Sequence, residues 1–207
     1  MIKTKKQGLL IVLSGPSGCG KNTVCNALKK ENKNIWESIS MTSRDRRPGE
    51  KNNEDYYFVT KEEFEEKIKE NKMLEYASFA GNYYGTPKDA VQQKLDEGKD
   101  VVLEIEVQGA LQVKNVKPDA CFIFIAPPSM DELRNRIMTR GTEAMDVINK
   151  RMQKAEAEIG LAHEYDYIVI NDTVENARDR IMAIIEAEHS RSNRVLEYYN
   201  KNIVEVE

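Results

Sequence analysis

Cysteine is scarce in this chain, with only Cys19, Cys25 and Cys121 among 207 residues. An odd count without paired spacing excludes a disulfide framework or a Cys-based zinc site, and the expected setting is reducing and cytoplasmic. Long apolar runs are missing too. Near the N-terminus, Lys3, Lys5 and Lys6 precede an apolar stretch, but Leu9–Leu13 is only five residues, whereas a secretory core needs about 7–15 and a membrane span about 20. That stretch therefore reads as a buried first strand. There is no surplus of positive charge either: 31 Lys and Arg stand against 35 Asp and Glu, a net charge of −4. Such a balance gives no general attraction to nucleic acid or to an anionic membrane, so neither is expected as a partner and any bound anion must be met locally. Internal repeats, low-complexity tracts and Pro-rich linkers are also lacking. What is present, 40% hydrophobic and 32% charged residues, suits one folded domain with room for small insertions.

Short β-branched apolar runs alternate with stretches of helical spacing, which predicts an α/β fold with a central parallel sheet flanked by helices. The expected strands are Leu9–Leu13, Ile35–Ser40, Val101–Ile105, Cys121–Ile125 and Ile168–Ile170, several too continuously apolar to leave a face in water. Helices are expected near Thr23–Lys30, Lys88–Glu97, Met130–Arg140, Val147–Ala162 and Asn176–Tyr199. Thr60 with Glu63 and Ser129 with Glu132 have the spacing of capping boxes. Residues 41–87 break the alternation and read as a small α+β insertion in a core formed by 7–40 and 88–207; the polar stretch Arg140–Asn149 reads as a flap within a helical lid at about 127–152.

Directly after the first strand comes Gly15-Pro16-Ser17-Gly18-Cys19-Gly20-Lys21-Asn22-Thr23, which fits Gly-x4-Gly-Lys. Glycines let successive backbone N–H groups turn inward on an anion, the helix N-terminus adds positive potential, and Lys21 reaches the outer phosphates. This predicts a P-loop fold with a phosphate-binding loop. Asn22 stands where a hydroxyl usually ligates Mg²⁺, so the ion is expected to be held mainly by phosphates and water, with Thr23, Glu104 and Glu106 as protein candidates. Glu104 and Glu106 fall at the carboxyl end of an expected parallel strand, the usual ligand crevice of such sheets.

The insertion opens with Ser40-Met41-Thr42-Ser43-Arg44-Asp45-Arg46-Arg47-Pro48-Gly49-Glu50, then brings Asp55-Tyr56, Glu75-Tyr76-Ala77 and Gly81-Asn82-Tyr83-Tyr84-Gly85-Thr86. Arginines such as Arg44 and Arg47 can grip a phosphate dianion bidentately, and the Tyr56 and Tyr84 hydroxyls can complete its shell. A carboxylate such as Glu75 matches the N–H donors on the pairing edge of guanine and repels the acceptor that adenine presents there. Taken singly, these arginines would pass for a solvated charge run and the tyrosines for ordinary core. In this order, and together with the phosphate loop, the segments resemble the guanylate kinase family from about Gly8 to about His189.

That resemblance implies phosphoryl transfer from ATP to GMP within purine nucleotide metabolism, a helical lid, and GMP contacts from Ser40, Arg44, Arg47, Tyr56, Glu75, Tyr84, Thr86 and Glu106. It also places catalytic lid arginines at Arg136, Arg140 and Arg151, and puts Asn171 near the ATP base. Two alternatives stay open: a guanylate-kinase-like module that holds a phosphopeptide, and a kinase for another small phosphate acceptor. Oligomeric state, monomer or homodimer, is also open.

Overall fold

The computed structural model describes residues 7–139 and 144–196. At its centre lies a five-stranded sheet in the order β2-β7-β1-β8-β9, formed by Ile35–Glu37, Asp100–Glu104, Leu10–Ser14, Cys121–Ala126 and Tyr167–Ile170. Every pairing in it is parallel. Both faces are covered, and β1 shows why its sequence carries no polar alternation. Ile11 and Leu13 join Val24 and Leu28 of α1 (Lys21–Glu31) and Ile181 and Ile185 of α7 (Val174–His189) on one face. Leu10 and Val12 meet Val91 and Leu95 of α3 (Lys88–Asp96) and Val113 of α4 (Val107–Val116) on the other. Side chains two apart share a face of a strand, so a strand covered on both sides must be apolar throughout.

Residues 41–87 carry a second, four-stranded sheet, β4-β3-β6-β5, built from Tyr57–Phe58, Met41–Thr42, Asn82–Pro87 and Met73–Phe79. Helix α2 (Lys61–Lys69) packs on it through Phe64, which stacks on Tyr83 at 5.2 Å. The β5–β6 hairpin turns through Ala80 and Gly81, at φ 48° and 81°, the positive-φ pair that suits the twist of two-residue hairpins. Helices α5 (Met130–Thr139) and α6 (Met145–Gly160) form their own small core of Leu133, Ile137, Ile148, Met152 and Ala155.

Several sequence expectations need correction. The strand expected over Ile35–Ser40 ends at Glu37, because the chain leaves the sheet there for the second one, although the Ser38 N–H still reaches Val102 O at 2.9 Å. The C-terminal helix stops at His189 rather than running to Tyr199; residues 192–196 are helical after a break, and 197–207 lie outside the described residues. Helix α4 has no counterpart among the expected helices. It carries Gly109, where an added Cβ would come within 2.9 Å of Glu75 Oε2, so a better helix former there would displace that buried carboxylate. The Thr60 capping box is complete, but at Ser129 only the half donated by the Glu132 N–H forms, since the Glu132 carboxylate takes Arg136 instead.

Candidate active site

The turn from β1 into α1 is built on positive-φ glycines. Gly15 has φ 142°, and a Cβ there would sit 2.2 Å from Ile125 O; Gly20 has φ 92°, with Asn171 Nδ2 2.5 Å from the same hypothetical atom. No larger residue fits either place, so the tight curl follows from β8 and β9 pressing against the loop as much as from backbone freedom. Lys21 Nζ bends back to donate to Gly15 O at 2.6 Å and Pro16 O at 3.2 Å, which holds its ammonium across the mouth of the loop. Buried Asn171, at the end of β9, donates from Nδ2 to Cys19 O at 2.7 Å. Ser17 Oγ accepts from the Arg151 guanidinium of α6 at 3.0 Å, so the lid pair already touches the loop.

Two cavities flank this loop. One, of about 280 Å³, is lined by loop glycines with Lys21, Asn22, Glu104, Glu106, Lys154 and Glu158. The other, of about 460 Å³, is lined by Thr23, Arg136, Asn171 and their neighbours. Successive helical residues point about 100° apart, which is why Asn22 and Thr23 fall on opposite sides. Thr23 is therefore corrected as a metal candidate: it does not share the cavity of Glu104. Arg136 is corrected as well. Its guanidinium is held by Glu132 Oε1 at 2.8 Å and Asn171 O at 3.1 Å, on the Thr23 side of the loop rather than over Lys21. Arg140 lies outside the described residues.

Glu104 is half-buried, and desolvation raises its pKa, opposed by the charge of Lys21 and by a hydrogen bond from Asn22. Its carboxylate is a hard oxygen donor lining the phosphate cavity, which fits an ion that keeps most of its waters, while the Asn22 amide oxygen is turned to Asn26 and accepts from its Nδ2 at 3.0 Å. Glu106 lines the same cavity, but its carboxylate is well exposed and paired with Lys154 Nζ at 2.9 Å.

On the insertion, the end fork of Arg44 grips Glu50, with Nη1 at 2.9 Å from Oε2 and Nη2 at 2.8 Å from Oε1. Glu50 Oε2 also accepts from the Arg47 N–H at 2.8 Å. These contacts hold the Glu50 pKa down at about 2, the Arg44 hydrogen bond leading. The Arg44 guanidinium lies 5.4 Å from the Tyr56 ring centre and 5.6 Å from that of Phe58, and it hydrogen-bonds Tyr84. Arg44, Tyr56 and Tyr84 thus come together, while the fork expected to take phosphate is already held by Glu50 and the Arg47 side chain is exposed. Glu75 and Thr86 face each other across β5 and β6, both buried, and Thr86 Oγ1 donates to Glu75 Oε1 at 2.7 Å. Burial raises the Glu75 pKa and the Thr86 bonds oppose the rise. Ser40 is half-buried at the start of this sheet, its carbonyl accepting from the Tyr57 N–H at 2.9 Å.

Sequence reasoning misses Glu50, Lys154 and Glu158. Glu50 lies within the motif, and its spacing of three from Arg47 is a turn signal; Lys154 and Glu158 carry no local signal beyond lying three and seven residues after Arg151 on one helix face.

A parallel sheet with a phosphate loop, a lysine across its mouth and an acidic, hard-donor cavity beside it defines a P-loop phosphotransferase. The guanylate kinase family model matches residues 7–188. The chain is 56% identical to the guanylate kinase of Lactococcus lactis subsp. lactis (strain IL1403) over 195 residues, 94% of this chain and 95% of that protein. It is likewise 56% identical to the guanylate kinase of Bacillus subtilis (strain 168) over 204 residues, 98% and 100% of the two chains. Among solved structures, guanylate kinase from Anaplasma phagocytophilum aligns with TM-score 0.72 at 35% identity, covering 96% of each chain. The chain belongs to the guanylate kinase family.

Proposed function

We propose that this chain transfers the γ-phosphoryl group of ATP to GMP, giving ADP and GDP, with ATP on the phosphate loop and GMP on the insertion. The observation that carries the acceptor assignment is the buried Glu75–Thr86 pair: a desolvated carboxylate with an acceptor oxygen to spare is costly unless a donor-rich partner arrives, and guanine supplies two adjacent donors. Ser40 and Thr86 serve the rest of the base, and Arg44, Arg47, Tyr56 and Tyr84 its phosphate. Glu106 reaches the guanine only after leaving Lys154.

Loop N–H groups and Lys21 hold the donor phosphates, and Arg151, already on Ser17, is placed to neutralise charge as the phosphoryl group moves. Arg140 is proposed beside it on the family resemblance alone. Arg136 and Asn171 shape the nucleoside end of the ATP site from the second cavity. An acceptor phosphate is already anionic near neutral pH, so no general base is needed. Magnesium, held by Glu104 through water, would supply charge neutralisation on the phosphates. The buried free thiols Cys19, Cys25 and Cys121 accord with a reducing cytoplasmic location. A phosphopeptide module would need neither the Lys21 cradle nor the Arg151 contact, which favours the enzyme.

The test is an acceptor panel of GMP, AMP, CMP and UMP with ATP and Mg²⁺, following ADP; GMP is expected to be consumed, and equal use of AMP would remove the guanine assignment. Asn22→Ser is expected to change kcat/KM by less than about tenfold, because the ion leans on phosphate and water rather than on this side chain. A large gain in rate and in apparent Mg²⁺ affinity, read from a Mg²⁺ titration of the two proteins side by side, would contradict that.

A further inference from the structure

We infer that Lys154 is a second phosphate-binding cation of the transfer cavity, parked on Glu106 until nucleotide arrives and then exchanged onto the ATP polyphosphate with Glu158 as its pivot. The inference rests on the ATP site proposed above and adds a residue to it. Arg151, Lys154 and Glu158 follow one another at i, i+3 and i+7 on α6, the spacing of a single helix face, and that face looks at the phosphate loop: Arg151 donates to Ser17, while Lys154 and Glu158 line the same cavity as Lys21.

The charges in that cavity are the reason a second cation is required. Glu104, Glu106 and Glu158 face it, and apart from Lys154 only Lys21 among its lining residues is positive. A polyanion would enter a space already dominated by carboxylates. Lys154 sits between two of them, 2.9 Å from Glu106 Oε2 and 3.6 Å from Glu158 Oε1.

The two contacts are unlike. Glu106 and Lys154 are 74% and 53% exposed, and an ion pair that open is weak and readily exchanged. Glu158 is only 8% exposed, and its Oε2 is buried with no hydrogen-bond partner among the described residues. Removing Lys154 altogether would strand that carboxylate. A lysine has three donors on a flexible stem, so one N–H can stay with Glu158 while the others turn from Glu106 to phosphate oxygens. The same swing releases Glu106, which makes nucleotide arrival and the freeing of this carboxylate one event.

The experiment is calorimetric titration of ATP into wild type, Lys154→Gln and Lys154→Arg, with steady-state kinetics and melting temperature on the same preparations. Lys154→Gln is expected to weaken ATP binding about five- to tenfold and to lower kcat by a similar factor in the protein that remains folded, with Lys154→Arg within about threefold of wild type, since a charge-assisted contact is lost in one and kept in the other. ATP affinity within twofold of wild type in Lys154→Gln would overturn the proposal, including the case where only the KM for GMP rises, which would mean that Lys154 serves Glu106 alone. Equal loss in both variants with lowered melting temperature would also overturn it, as a structural role. Calorimetry with ATP needs no GMP turnover, so a wild type that failed to phosphorylate GMP would sink the acceptor assignment while the Lys154 result still stood.

Discussion

Lys21→Met is expected to lower kcat by about 10³-fold or more while leaving the protein folded, because the charge removed is aimed at oxygens that gain negative charge in the transition state. Methionine keeps a similar apolar stem. In the structure the lysine donates to Gly15 O and Pro16 O, and both carbonyls belong to a loop that borders an open cavity, where water can replace the lost donor. The stability cost should therefore stay near the ordinary value of one or two hydrogen bonds, about 1–2 kcal/mol. Rapid-quench or coupled kinetics with ATP and GMP, beside a thermal melt, separates the two effects. A variant that kept more than about a tenth of wild-type turnover would show that the loop N–H groups suffice without Lys21.

Wild type is expected to favour GMP over AMP by at least about 10³-fold in kcat/KM, since a site built around buried hydrogen bonds rejects a base that leaves them unpaired. Glu75→Gln should lower kcat/KM for GMP by about 10²-fold and narrow that preference, with ATP affinity unchanged. The direction follows from Thr86. Its hydroxyl and its backbone both hydrogen-bond the Glu75 carboxylate, so a glutamine keeps its carbonyl oxygen on Thr86 and turns its NH₂ toward the guanine donors. Two donors then face each other in a buried site. An unchanged KM for GMP in Glu75→Gln would place the guanine elsewhere.

Features that depend on neighbours along the chain are legible in the residues themselves. The phosphate loop is contiguous, and its Gly15 and Gly20 declare a curl that side chains forbid. The buried strands declare themselves by lacking polar alternation, and the Thr60 box fixes the start of α2. Glu75 and Thr86 can be named as base readers because a carboxylate matches the N–H donors of guanine and their segments resemble those of the family, while their facing each other across β5 and β6 is visible only in the structure. Helix α4 is the exception, since Gly109 and a composition without a charged outer face hide its period; the reason for Gly109 is Glu75, far away in sequence.

Residue order alone dictates the alternation of strands and helices, the phosphate loop with Lys21, and the set of acidic and basic side chains available to two anionic substrates. How those charges are shared is settled by packing. It set Asn22 on the Glu104 side of the loop and Thr23 on the other, turned Arg136 to Glu132 and Asn171, gave the end fork of Arg44 to Glu50, and set Lys154 between Glu106 and Glu158. The physical reason is one of range. Backbone conformation and hydrophobic period are imposed within a few residues, whereas an ion pair forms wherever packing of the sheet, the insertion and the α5–α6 pair brings opposite charges within about 4 Å, and packing of distant segments leaves no mark on the local order of residues.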